Sequence, residues 1–171
     1  MRFDKTSQAF VFNFYIWGKF TVMKNLFNSE AANEILVRLE KLQATTERQW
    51  GKMNVDQMLA HCTAALEVAA DKVQLEQAFI GKILGPFVKK SWLSEKPFQK
   101  HSPTDPHFII KTSKGFDKEK EILTSLVKEF QAGGPEKCTN RKHSFFGTFT
   151  KDEWATLMYK HLDHHLRQFN A

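Results

Sequence analysis

Residues 150–170 read TKDEWATLMYKHLDHHLRQFN and open with a helix signal. Thr150 and Glu153 form a capping box, in which the hydroxyl and the carboxylate each accept a hydrogen bond from a free backbone N–H group. Two acids also lie in the first turn, where the helix dipole favours negative charge. Apolar side chains then recur at helical spacing from Trp154 to Phe169. The pattern predicts an amphipathic helix that ends near residue 170.

Three earlier segments have the same helical spacing of apolar residues. The first covers residues 30–43. In the second, Asn54 and Gln57 form another capping box, and the helix that it opens runs to about residue 71. The third spans about residues 117–131 and is stopped by the Gly-Gly-Pro sequence that follows it. Together with the C-terminal segment, these give four amphipathic helices.

The chain between the second and third of these helices predicts a long connection. Residues 75–94 look helical in pieces that break around Gly85-Pro86, and three more prolines follow at Pro97, Pro103 and Pro106. No strand alternation of any length occurs apart from the short run Phe108-Ile109-Ile110. The fold class predicted is therefore all-α, a four-helix bundle with one long crossover connection.

Residues 1–22, here called the leader, differ from the rest of the chain. They contain a dense run of aromatic and apolar side chains: Phe10, Phe12, Phe14, Tyr15, Ile16, Trp17 and Phe20. A membrane-spanning helix needs about 20 apolar residues, and Asn13 and Lys19 interrupt this shorter run. No small-residue cleavage site for a signal peptide follows it. Because Met23 makes a natural start, our hypothesis is that residues 1–22 come from an over-extended gene start or are a loose leader, and that the domain covers residues 24–171.

The composition is that of a soluble globular protein with one domain. Of 171 residues, 42% are apolar and 26% are charged, and sixteen Phe with four Trp supply bulky core material. The two cysteines match no zinc or disulfide spacing, which favours a reducing, cytoplasmic setting. Cys62 lies in an apolar helix and is interpreted as a core residue. Cys138 lies in a polar loop and is either a reactive thiol or a bystander.

The net charge of +6 and the isoelectric point near 9.3 raise the question of a nucleic-acid partner. The basic residues are spread out, and the densest set has no recognition-motif context: Lys82, Lys89, Lys90, Lys96 and Lys100. We interpret this set as a solvated basic face. Neither a nucleic-acid nor a membrane partner is expected, and a homodimer through an outer face of the bundle is left open.

Three histidines fall where facing helices can bring them together. His161 and His165 lie four residues apart, so both imidazoles project from one side of the C-terminal helix, on the apolar face set by Trp154. His61 lies at the edge of the core stripe of the second helix. Neutral imidazole binds zinc, nickel, copper or iron, and three protein ligands leave a coordination position open for water or substrate. The pattern predicts a divalent metal site on His61, His161 and His165. The alternatives are that these are buried hydrogen-bonding groups, or that His161, His164 and His165 form a chance cluster near a helix end.

Other polar residues near the predicted site each have two interpretations. His164 lies off the core axis and is interpreted as a surface group or an outer partner of the site rather than as a fourth ligand. His143 precedes Ser144-Phe145-Phe146-Gly147 and either reaches over the mouth of the bundle or anchors its own loop. Arg167 and Gln168 either orient a ligand or brace the helix, with a solvent-facing Arg167 favoured. No His-Glu-x-x-His sequence is present, so the helical metalloprotease layout is absent.

Three motifs together resemble those of a known superfamily. They are Trp50-x-x-Met53-Asn54-x-x-Gln57-Met58-Leu59-x-His61, His143-Ser-Phe-Phe-Gly147, and His161-Leu-Asp-His164-His165-Leu-Arg167-Gln168-Phe169. Residues 24–171 are similar to the DinB-like (YfiT-like) metalloenzyme superfamily, in a branch labelled only a domain of unknown function. With Leu166 and Arg167 after His165, this chain differs from the His-Arg-Gly-Gln ending common elsewhere in that superfamily.

The resemblance implies an up-down-down-up four-helix bundle with one metal ligand on the second helix and two on the last. These ligands match His61, His161 and His165 by position. The resemblance also implies zinc or nickel as the metal. Relatives include thiol-dependent S-transferases and isomerases, which suggests a low-molecular-weight thiol such as bacillithiol or mycothiol as cosubstrate.

Two functions follow as hypotheses. In the first, the chain is a metal-dependent, S-transferase-like enzyme or a hydrolase, in which an ionised thiol or water attacks an electrophilic small molecule. In the second, it is a non-catalytic, stress-related protein that binds a metal or a small ligand, and the ion only organises the bundle. No catalytic residue is identified from the sequence.

Overall fold

The computed structural model describes residues 23–171, and within this range the chain is all-α. It forms five α-helices: α1 (Ser29–Lys41), α2 (Val55–Ala69), α3 (Phe79–Trp92), α4 (Phe116–Gly133) and α5 (Lys151–Gln168). Two short 3-10 helices, Pro106–Phe108 and Gly134–Lys137, and an isolated bridge between His143 and Gly147 accompany them. The predicted leader lies outside the described residues. None of the helices in residues 23–171 is long and apolar enough to span a bilayer.

The helix starts follow the capping chemistry of the sequence. Asn54 accepts a hydrogen bond from the backbone N–H of Gln57 at 2.8 Å, and the Gln57 side chain accepts one from the N–H of Asn54 at 3.1 Å. Thr150 and Glu153 make the same reciprocal pair at the start of α5. Both predicted capping boxes are confirmed. α1 begins one residue earlier than predicted because Asn28 supplies its capping oxygen.

Four of the helices share one hydrophobic core. α1 packs against α4 and α5, and α2 also packs against α4 and α5. The largest fully buried side chains come from these helices and the segments beside them: Leu26, Ile35, Leu39, Met58, Leu59, Leu66, Leu123, Phe130, Trp154, Leu162, Leu166 and Phe169. Burying one side chain of this size contributes about 1.5–3 kcal/mol. This core therefore holds α2 and α5, which carry the predicted ligands, at a fixed distance.

α3 runs unbroken through Pro86, where the sequence predicted a break. Proline removes the hydrogen bond to the carbonyl of the residue four positions back, which is Lys82. Lys82 and Pro86 are both exposed, so water can bond to this carbonyl in place of the missing N–H. The prediction of a helix in pieces was wrong for this reason.

The connection between α3 and α4 is irregular apart from its 3-10 turn at Pro106–Phe108. This turn packs against α2 and brings the backbone oxygen of Phe108 to the side chain of His61. The run Phe108-Ile109-Ile110 was the only stretch of the sequence with strand-like alternation. In the structure, Phe108 ends the 3-10 helix, and Ile109 and Ile110 lie in the irregular chain after it. The connection contributes a backbone group to the neighbourhood of the predicted site.

Candidate metal centre

α2 and α5 bring three histidines together in the interior. His61, His161 and His165 each offer one ring nitrogen, and these three atoms all lie within 4.8 Å of one another. No other group of three or more His, Cys, Asp or Glu with such spacing occurs in residues 23–171. These are the three residues that the sequence predicted as metal ligands. Their proximity is observed, and the metal itself stays a prediction.

His61 and His165 each have one ring nitrogen fixed by an acceptor. Nδ1 of His61 lies 2.8 Å from the backbone oxygen of Phe108. Nδ1 of His165 lies 2.8 Å from Oε1 of Gln168. Because carbonyl oxygens only accept, both Nδ1 atoms carry the proton. The Nε2 atom of each ring then has a free lone pair, which is the form that binds a metal.

His161 lacks a comparable partner. Its Nε2 atom lies 2.9 Å from Nε2 of His61, while its Nδ1 atom is buried and has no hydrogen-bond partner among the described residues. Since Nε2 of His61 is unprotonated, a hydrogen bond between the two rings requires the proton on Nε2 of His161. The buried Nδ1 then lacks a donor, which costs about 1–3 kcal/mol. The three rings are therefore not a self-contained hydrogen-bonded cluster.

Burial keeps all three rings neutral. Desolvation lowers the pKa of His61, and it lowers the pKa of His165 to about 3. The pKa of His161 is held well below its usual value by burial and then by the neighbouring rings of His165 and His61. A neutral imidazole coordinates a cation without first losing a proton. The cluster can therefore accept a divalent ion at neutral pH.

The donor set fits a transition metal. Three imidazole nitrogens suit zinc, nickel, copper or iron, whereas calcium and magnesium prefer oxygen ligands. The acceptors on Nδ1 of His61 and His165 orient these rings in the way that outer partners orient metal-binding histidines. No described carboxylate or thiol completes the group. Three protein ligands would leave an ion with a position for an external ligand.

Gln168 joins the histidine cluster to the segment before α2. Its Oε1 accepts from His165, and its Nε2 donates to the backbone oxygen of Trp50 at 2.7 Å. The next residue, Gly51, has a φ of 84°, and a Cβ added there would overlap Nε2 of Gln168. The sequence left two roles open for Gln168, orienting a ligand or bracing the helix. In the structure, Gln168 contacts both the predicted ligand His165 and the segment that contains Trp50.

His164 lies beside the cluster but outside it. Its ring packs between Trp50 and Phe98, with centroids 5.7 Å and 5.9 Å away. Burial, followed by the positive charge of Arg167, lowers the pKa of His164. Its centroid is 5.0 Å from that of His165. The half-buried ring thus occupies the position of an outer neighbour.

His143 anchors its own loop. Its Nδ1 accepts from the backbone N–H groups of Phe145 and Phe146 at 3.0 Å and 3.3 Å. Its ring packs against Phe146 and Trp154. Burial lowers the pKa of His143 to about 4, against the opposing charge of Asp105. The loop-anchor interpretation of His143 is the one that these contacts support.

Arg167 is exposed and pairs with Asp163, with its Nη2 atom 2.6 Å from the carboxylate. The same carboxylate is held at 2.8 Å by Arg38 of α1. Arg167 therefore faces solvent, as the sequence favoured.

The two cysteines are free and buried. Burial raises the pKa of both thiols, and that of Cys138 reaches about 11. A thiol with such a pKa is protonated at neutral pH and is a poor nucleophile. Cys138 is therefore interpreted as a bystander.

Residues 22–171 match the family model described as Protein of unknown function (DUF1569). The matched range covers the whole described domain, including the three histidines. No match was found among curated proteins or among solved structures.

Proposed function

This chain belongs to the DUF1569 family, and we propose that it binds one divalent metal ion, zinc or nickel, through His61, His161 and His165. One observation carries this proposal: protons fixed on Nδ1 of His61 and His165 leave two free Nε2 lone pairs beside the third ring. Nε2 of His161 lies 2.9 Å from Nε2 of His61, so the third ring turns a nitrogen towards the same point.

We place the site in an up-down-down-up four-helix bundle of the DinB-like kind, formed by α1, α2, α4 and α5. The packing supports this arrangement, because α1 and α2 each contact both α4 and α5. Metal sites in bundles are built from facing helices, and here α2 supplies one histidine and α5 supplies two. In this arrangement α3 and the segment after it form the long crossover.

We propose that the chain is a metal-dependent transferase or hydrolase acting on a small molecule, with a low-molecular-weight thiol as cosubstrate. A divalent ion bound by these three histidines would supply Lewis acidity, which would bring the pKa of a thiol or water towards neutrality. The protein keeps the three imidazoles neutral and oriented. His161 is half-buried, whereas His61 and His165 are buried, so an external ligand would approach from the side of His161. The ring of Phe108 packs edge-on against His61, with the ring centroids 6.2 Å apart.

A non-catalytic, stress-related protein that binds a metal or a small ligand is the second candidate, and burial favours it. His61 and His165 are almost completely buried, and a surface cavity of about 490 Å³ lies elsewhere, between the segment around Thr45 and the start of α2. No described carboxylate joins the cluster as a general base. In this case the ion would only stabilise the packing of α2 on α5.

Metal content tests the site. We would measure zinc and nickel by elemental mass spectrometry on protein purified without a histidine tag. Wild type is expected to hold close to one ion per chain, and His161→Ala to hold almost none. His164→Ala is the matched control, because it removes a neighbouring imidazole of the same helix and is expected to keep the ion. Wild type that holds no ion, even after incubation with zinc and nickel, would remove the proposal.

Turnover separates the two candidates. The metal-loaded protein would be assayed with low-molecular-weight thiols and an electrophilic small molecule, alongside His61→Ala with its fold checked by circular dichroism. Turnover that disappears in His61→Ala favours the enzyme. Metal-dependent folding without any turnover favours the binding protein.

We place the protein in the cytoplasm, with a small molecule rather than nucleic acid as its partner. Lys82, Lys90, Lys96 and Lys100 of the basic set are exposed, and Lys89 pairs with Glu153 at 2.6 Å. A solvated basic face of this kind offers no element shaped to contact base edges in a groove of nucleic acid. Duplex binding that persists at physiological salt would contradict this assignment.

A further inference from the structure

α3 presents its largest apolar side chains outward. The exposed fractions are 78% for Phe79, 54% for Ile80, 51% for Ile83, 46% for Leu84 and 82% for Phe87. Their helical spacing puts these five residues, here called the α3 face, on one side of the helix. An exposed helix of a globular protein normally turns its apolar side to the core. A contiguous apolar face of this kind marks an interaction surface.

The opposite side of α3 is fixed to the domain. A Cβ added to Gly81 would lie 2.6 Å from the backbone oxygen of Phe145, so the two small glycines of this helix, Gly81 and Gly85, sit tightly on that loop. At the end of the helix, the buried Lys160 of α5 donates to the backbone oxygen of Trp92 at 2.5 Å. Because these contacts hold the small side of the helix inward, the α3 face cannot turn towards the core without breaking them.

The charged residues on α3 and just after it are mostly lysines. The helix itself contains no acidic residue, and residues 82–100 contain five lysines and only Glu95 as an acid. Lys82 and Lys90 lie on α3 and are exposed, while Lys96 and Lys100 follow in the exposed segment beyond it. An apolar stripe with basic residues beside it is typical of helices that lie in the interface of an anionic bilayer.

We propose that the α3 face docks on an anionic lipid surface. The apolar side chains would enter the boundary between headgroups and acyl chains, and the lysines would meet the lipid phosphates. Lysines near such a surface contribute about 1 kcal/mol each at physiological salt. The docking is peripheral, because no described helix is suited to span a bilayer. This inference departs from the sequence expectation of no membrane partner.

Charge complementarity selects the lipid surface over two other occupants. A second copy that used the same face would bring the two sets of lysines together, with no acid on either α3. The leader is rich in aromatic residues, but it carries three basic residues and only one acid, so it would also meet like charge. An anionic bilayer is the partner that complements both the apolar stripe and the lysines.

Co-sedimentation with vesicles tests the inference on the full chain. Vesicles of phosphatidylcholine mixed with phosphatidylglycerol are expected to bind the protein, and vesicles of phosphatidylcholine alone to bind it at least about tenfold more weakly. Phe79→Ser/Phe87→Ser is expected to reduce binding about tenfold or more through lost apolar burial. Lys82→Glu/Lys90→Glu is expected to reduce binding to the anionic vesicles by a similar factor and to remove its salt dependence.

Two matched controls keep the test specific to α3. Ile109→Ser removes an exposed apolar side chain outside the α3 face, and Lys41→Glu/Lys52→Glu reverses two exposed lysines elsewhere. Both are expected to bind vesicles like wild type. All replaced side chains are exposed, so circular dichroism should show an unchanged fold.

Three results would each overturn the inference. The first is equal binding to neutral and anionic vesicles. The second is that Phe79→Ser/Phe87→Ser binds vesicles as strongly as wild type, which would show that the leader or another region binds the lipid. The third is that wild type does not bind vesicles but forms a dimer in solution, whereas Phe79→Ser/Phe87→Ser is a monomer. This result would show that the α3 face binds a second copy of the chain.

Discussion

The side-chain oxygen of Gln168 lies 2.8 Å from Nδ1 of His165 and fixes the proton of that imidazole on Nδ1. Loss of such an outer partner typically weakens metal binding about 10–100-fold. We therefore expect Gln168→Leu, which keeps the volume and removes the acceptor, to bind zinc about 10–100-fold more weakly than wild type. Competition with a chromophoric chelator measures the dissociation constants.

Arg167→Leu is the matched control for Gln168→Leu. Arg167 is the adjacent residue, but it faces solvent and pairs with Asp163. Its replacement is expected to leave the zinc dissociation constant unchanged. Equal zinc affinity in Gln168→Leu and wild type would show that Gln168 only braces the helix end.

Gly51→Ala is expected to disturb the site from a distance. The new methyl group would overlap Nε2 of Gln168, which must then leave Trp50 and pull its oxygen from His165. The positive φ of 84° adds backbone strain of about 1 kcal/mol or more for a residue with a Cβ. We expect lower stability in urea unfolding and weaker zinc binding in the chelator competition.

Gly115→Ala separates strain from overlap. Gly115 has a φ of 91°, and a Cβ there meets nothing within 4 Å. With a ψ of 155°, Gly115 lies in a region that is essentially restricted to glycine, so its replacement should cost backbone strain of about 1–3 kcal/mol while leaving zinc affinity unchanged. If both alanine variants bind zinc equally well, the contact between Gly51 and Gln168 does not position the site.

The helices carrying the histidines were predictable because their signals are local. The Asn54 box and the Thr150 box mark the starts of α2 and α5, and spacing from each start puts the histidines on inward faces. Gln168 had a weaker local signal, three residues after His165 on the same side of α5. Because the histidines of α2 and α5 both lie on inward faces, the packing of these two helices brings the three rings together.

The partners from distant segments were not predictable. Nδ1 of His61 and Nε2 of Gln168 donate hydrogen bonds to the backbone oxygens of Phe108 and Trp50. Every residue has a backbone carbonyl, so the pattern of side chains in the sequence does not indicate which one accepts. The outward turn of α3 was hidden for a similar reason. Its orientation depends on how closely Gly81 and Gly85 approach the backbone of a loop about sixty residues later in the chain, which only the tertiary structure shows.

Zinc is expected to stabilise the fold through the same three histidines. At a free zinc concentration one hundred times the dissociation constant, binding adds about 2.7 kcal/mol to the free energy of unfolding. For a domain of this size, that raises the midpoint of thermal unfolding by about 5–10 °C. EDTA should reverse the shift, and His161→Ala should show none, whereas His164→Ala should keep it. Equal shifts in His161→Ala and wild type would place zinc at another site.

Acid should destabilise the metal-free protein through His143. Burial lowers the pKa of His143 from 6.5 to about 4, with Asp105 opposing and Phe146 and Trp154 covering the ring. Above pH 6.5 the ring is neutral in both states, and between pH 6.5 and 4 only the unfolded chain binds the proton. Stability is therefore lost as pH falls through this window, by about 3 kcal/mol from this residue.

Urea unfolding at several pH values measures this loss. His143→Asn is expected to be less stable than wild type at pH 7, since the loop loses its anchor, and to show a shallower decline in stability on acidification. His101→Asn is the control, because His101 is exposed and its positive φ of 61° suits asparagine. A decline in His143→Asn as steep as in wild type would assign the acid sensitivity to the three clustered histidines alone.

Gly85→Ala is expected to destabilise the protein, although alanine favours a helix over glycine by about 1 kcal/mol. A Cβ at Gly85 would overlap the backbone oxygen of Phe145, and a backbone group cannot move aside as a side chain can. Overpacking of this kind costs about 1–3 kcal/mol. Ser91→Ala, at an exposed position of the same helix, should instead be neutral or slightly stabilising. If urea unfolding shows Gly85→Ala to be the more stable of the two, α3 does not pack on the His143 loop through its glycines, and the outward orientation of Phe79 and Phe87 loses its structural cause.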